Sequence, residues 1–344
     1  MRTEVDKLDE AVLAPYLEKH VGGFEGLERV QKFSDGQSNP TFRLTARSGD
    51  YVLRRQPPGE LLKSAHAVDR EFRVLSALAA TDVPVPTVFH LCEDRDVIGS
   101  MFYVMEYCPG RIFWQAPLPA IARAERTRIY DEMNRVLVCL HSVDVDAVGL
   151  GDFGKPGNYF VRQYDRWSKQ YRASELQRIY AMDSLMRWLS DNLPDDDGRV
   201  SLVHGDYRLD NMIFHASEPR VIALLDWELS TLGHPFADVG YQCMQLRMPD
   251  QQGSISGLRG RDLAALGIPD EKEYVARYCE RMGLERIENF EFYVAFSFFR
   301  LAAIVQGVAK RAVDGNASNE KAAEMGALVG PLAGLALEAI ELGS

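Results

Sequence analysis

Apolar residues follow a two-residue period in short runs before about residue 106 and a helical period over most of the chain beyond 110. Thr41-Phe42-Arg43-Leu44-Thr45 alternates as a strand does, and Ser48-Gly49-Asp50 turns the chain into Tyr51-Val52-Leu53-Arg54-Arg55, which Pro57-Pro58-Gly59 ends. Residues 27–33 also read as extended. Two more strands fall near 88–92 and 101–106, joined over Glu93-Asp94-Arg95-Asp96. Between these runs Val68, Phe72, Leu75 and Ala79 share a helical face, which predicts a helix over 64–79. A short helix at 9–20, opened by Asp9, precedes the strands. Residues 25–106 therefore predict a five-stranded, mostly antiparallel sheet with one inserted helix.

Beyond residue 110 the pattern predicts helices at 122–142, 158–172, 174–191, 271–282, 288–312 and 319–342. The exception is a strand-rich island at 200–226. Leu202-Val203 enters it, Met212-Ile213-Phe214 leaves it, and Val221 to Leu225 returns over the loop His215–Arg220. An antiparallel return of that length brings Asn211 and Asp226 close together. The fold class is α+β, bilobal, with a small sheet lobe at 1–106 and a mostly helical lobe at 107–344. A linker near Tyr107–Gly110 implies a cleft, where ligands tend to bind.

Composition narrows the function. The 344 residues carry 39 Lys and Arg against 50 Asp and Glu, a net charge of −11, which argues against non-specific nucleic-acid binding. The five cysteines are scattered and form no CxxC pair, which suits a reducing cytoplasm rather than a disulfide framework or zinc site. The N-terminal stretch has mixed charge and no apolar h-region, so no signal peptide is expected there. The most apolar stretch, Phe290 to Val308, contains Glu291, Arg300 and Gln306 and reads as a buried helix rather than a membrane span.

The chemistry concentrates in His204-Gly205-Asp206-Tyr207-Arg208-Leu209-Asp210-Asn211, followed by Leu224-Leu225-Asp226-Trp227-Glu228. Asp206 is the candidate catalytic base, since an alcohol nucleophile must lose its proton as it attacks. Asn211 and Asp226 are hard oxygen donors of the kind Mg²⁺ takes alongside phosphate and water. Glu228 would face the same side if the strand continued past Asp226, and is a candidate for a second metal. This pattern is the one that moves a phosphoryl group from a Mg²⁺-nucleotide to a hydroxyl. His204 and His141 read as packed, hydrogen-bonded histidines. Asp238 reads as a helix N-cap that also braces the catalytic loop.

In the small lobe, strand alternation puts Val52 and Arg54 on one face, offering an apolar contact for a base and a cation for phosphates. Glu71 on the following helix could orient Arg54. Backbone N–H groups of the Ser34–Asn39 loop, around Ser34, Gly36 and Ser38, could cover phosphates. In the large lobe Arg162, Arg166 and Lys169 recur at helical spacing and could receive an anionic substrate.

At these residues the chain resembles the aminoglycoside phosphotransferase and choline kinase superfamily, which has a protein-kinase-like fold. His204-Gly205-Asp206 with Asn211 is similar to its catalytic loop, and Asp226-Trp227-Glu228 to its metal-binding segment. Arg54 stands where kinases usually carry lysine, Glu71 matches its helix partner, and Glu106, at the end of the strand leading to the linker, is expected among the nucleotide-binding residues. A closer resemblance is to the kinase-like domain associated with acyl-CoA dehydrogenases. It is carried by Phe33 to Thr41, Tyr51 to Arg55, Tyr103 to Tyr107, the Tyr159–Tyr171 helix and Leu225 to Pro235.

The resemblance implies ATP and Mg²⁺ as cofactors and a small hydroxylated acceptor, a hydroxyacyl-CoA or hydroxy acid, in an acyl-CoA dehydrogenase pathway. With the charge balance and the polar residues in the apolar stretch, no nucleic-acid or membrane partner is expected. Only twelve residues separate Asp226 from Asp238, too few for a protein-kinase activation segment, so a protein acceptor is not expected. The competing expectations are an aminoglycoside or other cationic small-molecule kinase, and a non-catalytic nucleotide-binding regulator.

Overall fold

The structure, a computed structural model, describes residues 8–33, 39–57, 66–250, 256–314 and 325–343. Elements are numbered in chain order. The chain packs as two compact units, one comprising Met1–Ile112, Val148–Leu150 and Asn211–Leu229, the other Phe113–Ala147, Gly151–Asp210 and Ser230–Ser344.

The first unit holds α1 (Glu10–His20), β1 (Leu27–Lys32), β2 (Thr41–Ala46), β3 (Gly49–Arg55), α2 (Val68–Leu78), β4 (Val88–Cys92) and β5 (Phe102–Glu106). The five strands form one antiparallel sheet in the order β1-β2-β3-β5-β4, with α2 inserted between β3 and β4. Alternation sorts the side chains. Phe42, Leu44, Leu53, Phe102 and Val104 join Leu13, Leu17 and Phe24 in one buried cluster. Each such side chain contributes about 1.5–3 kcal/mol by leaving water. Val52 and Arg54, one residue out of phase with Leu53, face the opposite side of the sheet.

The hairpin of β7 (Met212–Phe214) and β8 (Val221–Leu224) also belongs to this unit. The expected boundary at residue 106/107 therefore differs from the observed division. The reason is hydrogen bonding: Arg111 and Phe214 exchange backbone bonds of 2.8 Å each way, and the Leu224 N–H reaches the Pro84 carbonyl at 2.8 Å.

The second unit is mostly helical: α3 (Arg123–His141), α4 (Tyr159–Ser174), α5 (Tyr180–Asp191), α6 (Phe236–Arg247), the short α7 (Leu263–Leu266), α8 (Glu271–Met282), α9 (Phe290–Val313) and α10 (Val329–Gly343). Its strands, β6 (Ser201–Val203) and β9 (Thr231–Gly233), pair antiparallel. α9 is long and apolar enough to cross a membrane by length and composition, yet 83% of its apolar window is buried. It packs on α4, α6 and α10, as the sequence led one to expect of a core helix.

The four-residue α7, β9 and the period of α6 escaped the sequence pattern. Every α6 residue from Phe236 to Met244 is buried, so the helix has no polar face over that stretch and no amphipathic period to detect. β9 has three residues, too few to show alternation. Two expected helices also start late, α5 at Tyr180 and α10 at Val329.

Candidate active site

Among the described residues, a cluster of buried polar groups in each unit holds several of the expected site residues.

In the first unit the cluster centres on Arg54. Its Nε lies 2.8 Å from Glu71 Oε2, and its Nη2 donates to Asp226 Oδ1 at 2.7 Å. Glu71, in the first turn of α2, is 1% exposed. It accepts from Asn39 Nδ2 at 2.9 Å and from the Tyr103 hydroxyl at 3.2 Å. Asn39 is itself held by His66 at 2.9 Å. Burial opposes the Arg54 charge, but Glu71, with smaller contributions from Tyr103, Asp226 and Glu228, raises its pKa, so it stays a cation. Burial raises the Glu71 pKa, opposed mainly by Arg54. The Arg54–Glu71 orientation read from the sequence is thus present, and Val52 is buried on the same strand face.

The hairpin delivers the donors. Leu225 N–H bonds to the Asn211 carbonyl at 2.8 Å, so Asp226 follows at once beside Asn211. Asp226 has φ +64°, a left-handed conformation rare for a residue with a side chain and best tolerated by Asp and Asn. Its neighbour Trp227 is buried and donates from Nε1 to the Leu224 carbonyl at 3.0 Å, anchoring the turn. Past Asp226 the strand does not continue. Residues Trp227–Leu229 form a 3₁₀ turn, so Glu228 does not reach this region by strand alternation. It is nonetheless close enough for its charge to act on Arg54.

Asn211 and Asp226, both partly exposed, offer hard oxygen atoms beside one another on a fixed hairpin, with Glu228 two residues on. Among the described residues no three His, Cys, Asp or Glu side chains form a metal cage. Amide and carboxylate oxygens such as those of Asn211 and Asp226 are of the kind Mg²⁺ takes alongside phosphate and water. Ser34, Gly36 and Ser38 lie outside the described residues. The Glu106 carboxylate accepts from the Thr87 backbone N–H at 3.1 Å, closing the start of β4.

In the second unit β6, wholly buried, runs into His204-Gly205-Asp206. Gly205 has φ +84°, which suits glycine and little else. The backbone N–H groups of His204 and Gly205 donate to the two Asp238 carboxylate oxygens at 2.7 and 2.8 Å. Asp238 is fully buried and also meets His141 Nε2 at 3.3 Å, while His141 Nδ1 pairs with the Tyr278 hydroxyl at 2.8 Å. Burial pushes the Asp238 pKa up. The His141 hydrogen bond and charge, helped by His204 and the Gly205 N–H, outweigh it and hold the carboxyl below its ordinary value. The N-cap of α6 is Pro235, so Asp238 does not cap that helix. The bracing role is the one it has. His204 and His141 are both buried and hydrogen-bonded, as read from the sequence.

Asp206 is held by a residue the sequence did not single out. The Tyr241 hydroxyl donates to Asp206 Oδ1 at 2.6 Å, and Arg208 Nε lies 3.5 Å from the same oxygen. Arg208 also pairs with Asp210 at 2.5 Å. Burial, and secondarily the Asp206 carboxylate, raise the Tyr241 pKa, so its hydroxyl keeps its proton. Tyr241 and Asp238 sit three residues apart on one face of α6. That spacing was a usable signal, but the helix lacked the polar face that would have revealed it. The Tyr207 hydroxyl, fully buried, fastens the loop to the Met133 carbonyl at 2.6 Å.

Beside this loop lies an open recess lined by Phe113, Trp114, Met244, Met248 and Leu301, with Arg208, Asp210 and Tyr241 along one side. The basic stripe of α4 is not part of its lining. Arg162 donates to the carbonyls of Lys155 and Pro156, Arg166 lies over the Trp167 ring at 5.2 Å, and Lys169 is exposed.

A strand-borne cation locked to a helix glutamate, and a braced aspartate loop leading into a hairpin of oxygen donors, are the marks of kinase-fold phosphotransferases. The model of the phosphotransferase enzyme family, APH, matches residues 29–277, and the chain belongs to that family.

Relatives sharpen this. The chain is 49% identical over 325 residues to acyl-CoA dehydrogenase family member 10 of Mus musculus, covering 93% of this chain and 30% of the relative. It is 44% identical over 338 residues to acyl-CoA dehydrogenase family member 11 of Rattus norvegicus, covering 96% and 43%. It therefore spans less than half the length of these curated relatives. A provisionally assigned aminoglycoside phosphotransferase from Ralstonia eutropha JMP134 superposes with TM-score 0.88 at 50% identity, covering 97% of this chain and 99% of that one. A streptomycin–ATP–APH(2")-IIa ternary complex superposes with TM-score 0.58 at 15% identity over 93% and 95%, a likeness of fold.

Proposed function

We propose that this phosphotransferase is an ATP- and Mg²⁺-dependent kinase of a small alcohol, and that the alcohol is a hydroxyacyl-CoA or hydroxy acid. Asp206 accepts the hydroxyl proton. The hydroxyl oxygen forms the new bond to the γ-phosphorus as the bond to the β–γ bridging oxygen breaks, and that electron pair leaves on ADP. Positioned proton removal of this kind contributes roughly 10²–10⁴ in rate. Arg54, oriented by Glu71, meets phosphate oxygens, and Val52 offers the base an apolar contact. Asn211, Asp226 and Glu228 would hold Mg²⁺, which neutralises charge on the phosphates.

The observation that carries the acceptor class is the recess beside the loop of Asp206. Phe113, Trp114, Met244, Met248 and Leu301 suit an acyl chain, and its two charged residues, Arg208 and Asp210, are paired with each other. A polycationic acceptor would need surplus carboxylates there, so the recess favours the acyl acceptor over an antibiotic. The two relatives named as acyl-CoA dehydrogenase family members, of which this chain matches a part, support the same reading. The test is ADP release across hydroxyacyl-CoAs, free hydroxy acids, choline and aminoglycosides. Turnover with hydroxyacyl compounds is expected. Turnover with aminoglycosides alone would reverse the acceptor assignment, and Mg-ATP binding with no turnover on any of them would make the protein a nucleotide-binding regulator.

A further inference from the structure

We infer that Tyr241 is a positioning residue for the base: its hydroxyl fixes the Asp206 carboxylate in one rotamer and holds it in the ionised form that can take a proton. The inference rests on the reading of Asp206 as that base. The Tyr241 hydroxyl donates to Asp206 Oδ1 at 2.6 Å, a short charge-assisted bond. Tyr241 is 6% exposed. Its ring lies 5.8 Å from the Arg300 guanidinium of α9, and the α6 face that carries it also carries Asp238, which holds the backbone of the same loop. One helix therefore fixes the loop twice, at its main chain and at the reacting carboxylate. Tyr241 also lines the apolar recess, so the group that orients the base forms part of the acceptor wall.

Arg208 on its own loop lies 3.5 Å from the same Asp206 oxygen and is itself paired with Asp210, Arg300 lies behind the Tyr241 ring, and the Tyr241 hydroxyl on α6 is the neutral donor. Removing that donor destabilises the carboxylate relative to the acid and frees its χ angles. Tyr241→Phe keeps the ring and deletes only the hydroxyl.

The experiment follows the Asp206 carboxyl carbon by ¹³C NMR through a pH titration, assigned by difference from Asp206→Asn, in the wild type and in Tyr241→Phe. In parallel, kcat and KM are measured with whichever acceptor gives ADP release. The variant is expected to raise the Asp206 midpoint by about one pH unit, a tenfold change in its proton affinity. It should move the acidic limb of kcat/KM by the same amount and lower kcat roughly tenfold, with the KM for ATP unchanged. An unmoved titration and an unmoved rate would overturn the inference. So would a loss of turnover matched by loss of thermal stability and of Mg-ATP binding, which would make Tyr241 a packing residue only. If Asp206→Asn itself keeps wild-type turnover, the kinase reading of Asp206 fails, while the titration still reports on the hydrogen bond alone.

Discussion

Arg54 and Asp226 stand 172 residues apart in the chain, and their side chains meet at 2.7 Å. The same guanidinium holds Glu71 at 2.8 Å, so one cation ties a strand, a helix and the hairpin turn that carries a candidate metal ligand. Arg54→Met leaves Glu71 buried without its cation. The cost expected for a broken buried pair is about 3–5 kcal/mol, read as a lower urea midpoint. Arg54→Met combined with Glu71→Gln should recover part of that loss, and a double-mutant cycle measures the coupling. Strictly additive effects would show that the pair is not coupled.

Asp226 separates conformation from ligation. Its φ of +64° costs a residue with a Cβ about 1–3 kcal/mol, which glycine avoids. Asp226→Gly should match or exceed Asp226→Ala in stability, while both variants lose Mg²⁺-dependent nucleotide binding by calorimetry. Mg²⁺-dependent binding that survives in either variant would remove Asp226 from the metal site.

Asp206→Asn preserves shape and removes the proton acceptor. Turnover should fall by at least about 10²-fold, with Mg-ATP affinity close to wild type. Single-turnover ADP release and calorimetry together check both halves.

Asp238 makes a pH prediction whose sign is determined. Its folded pKa lies below its ordinary value of 3.8, so the ionised form is the one the fold prefers. The stability it contributes is present above the unfolded value and lost as pH falls through the depressed folded one. Asp238→Asn should therefore be clearly less stable than wild type near neutrality, and the gap should narrow under acid in urea melts. A gap that widened in acid would contradict the assignment.

Gly240 tests the seating of α6. A Cβ there would stand 2.6 Å from the Tyr293 carbonyl oxygen of α9, which is backbone and cannot swing aside. Gly240→Ala should cost about 1–3 kcal/mol and displace the neighbouring Tyr241, lowering turnover along with thermal stability.

How much of this was legible in advance follows from where the signals lie. The sheet was visible chiefly through β2, whose buried face alternates with a partly exposed one and writes a period of two into the chain, and through the turn residues that bound its neighbours. The loop His204 to Asn211 and the turn at Asp226 stood out because carboxylates and an amide recur there at short, fixed separations, a pattern that phosphoryl transfer uses. Helix α6 was legible only as a start, misplaced at Asp238, since burial on every side over much of its length erases its period.

By itself, then, the chain's residue order determined the phosphotransferase class and the sheet lobe, and it singled out Asp206, Asn211, Asp226, Arg54 and Glu71 as candidates. Local spacing and alternation carry that information. Tertiary structure alone decided that Arg54 reaches Asp226, that the hairpin packs with the first unit, and that Tyr241 on α6 holds the Asp206 carboxylate. These are contacts between residues far apart in sequence, selected by packing and by the need of buried polar groups for partners, and no local pattern encodes them.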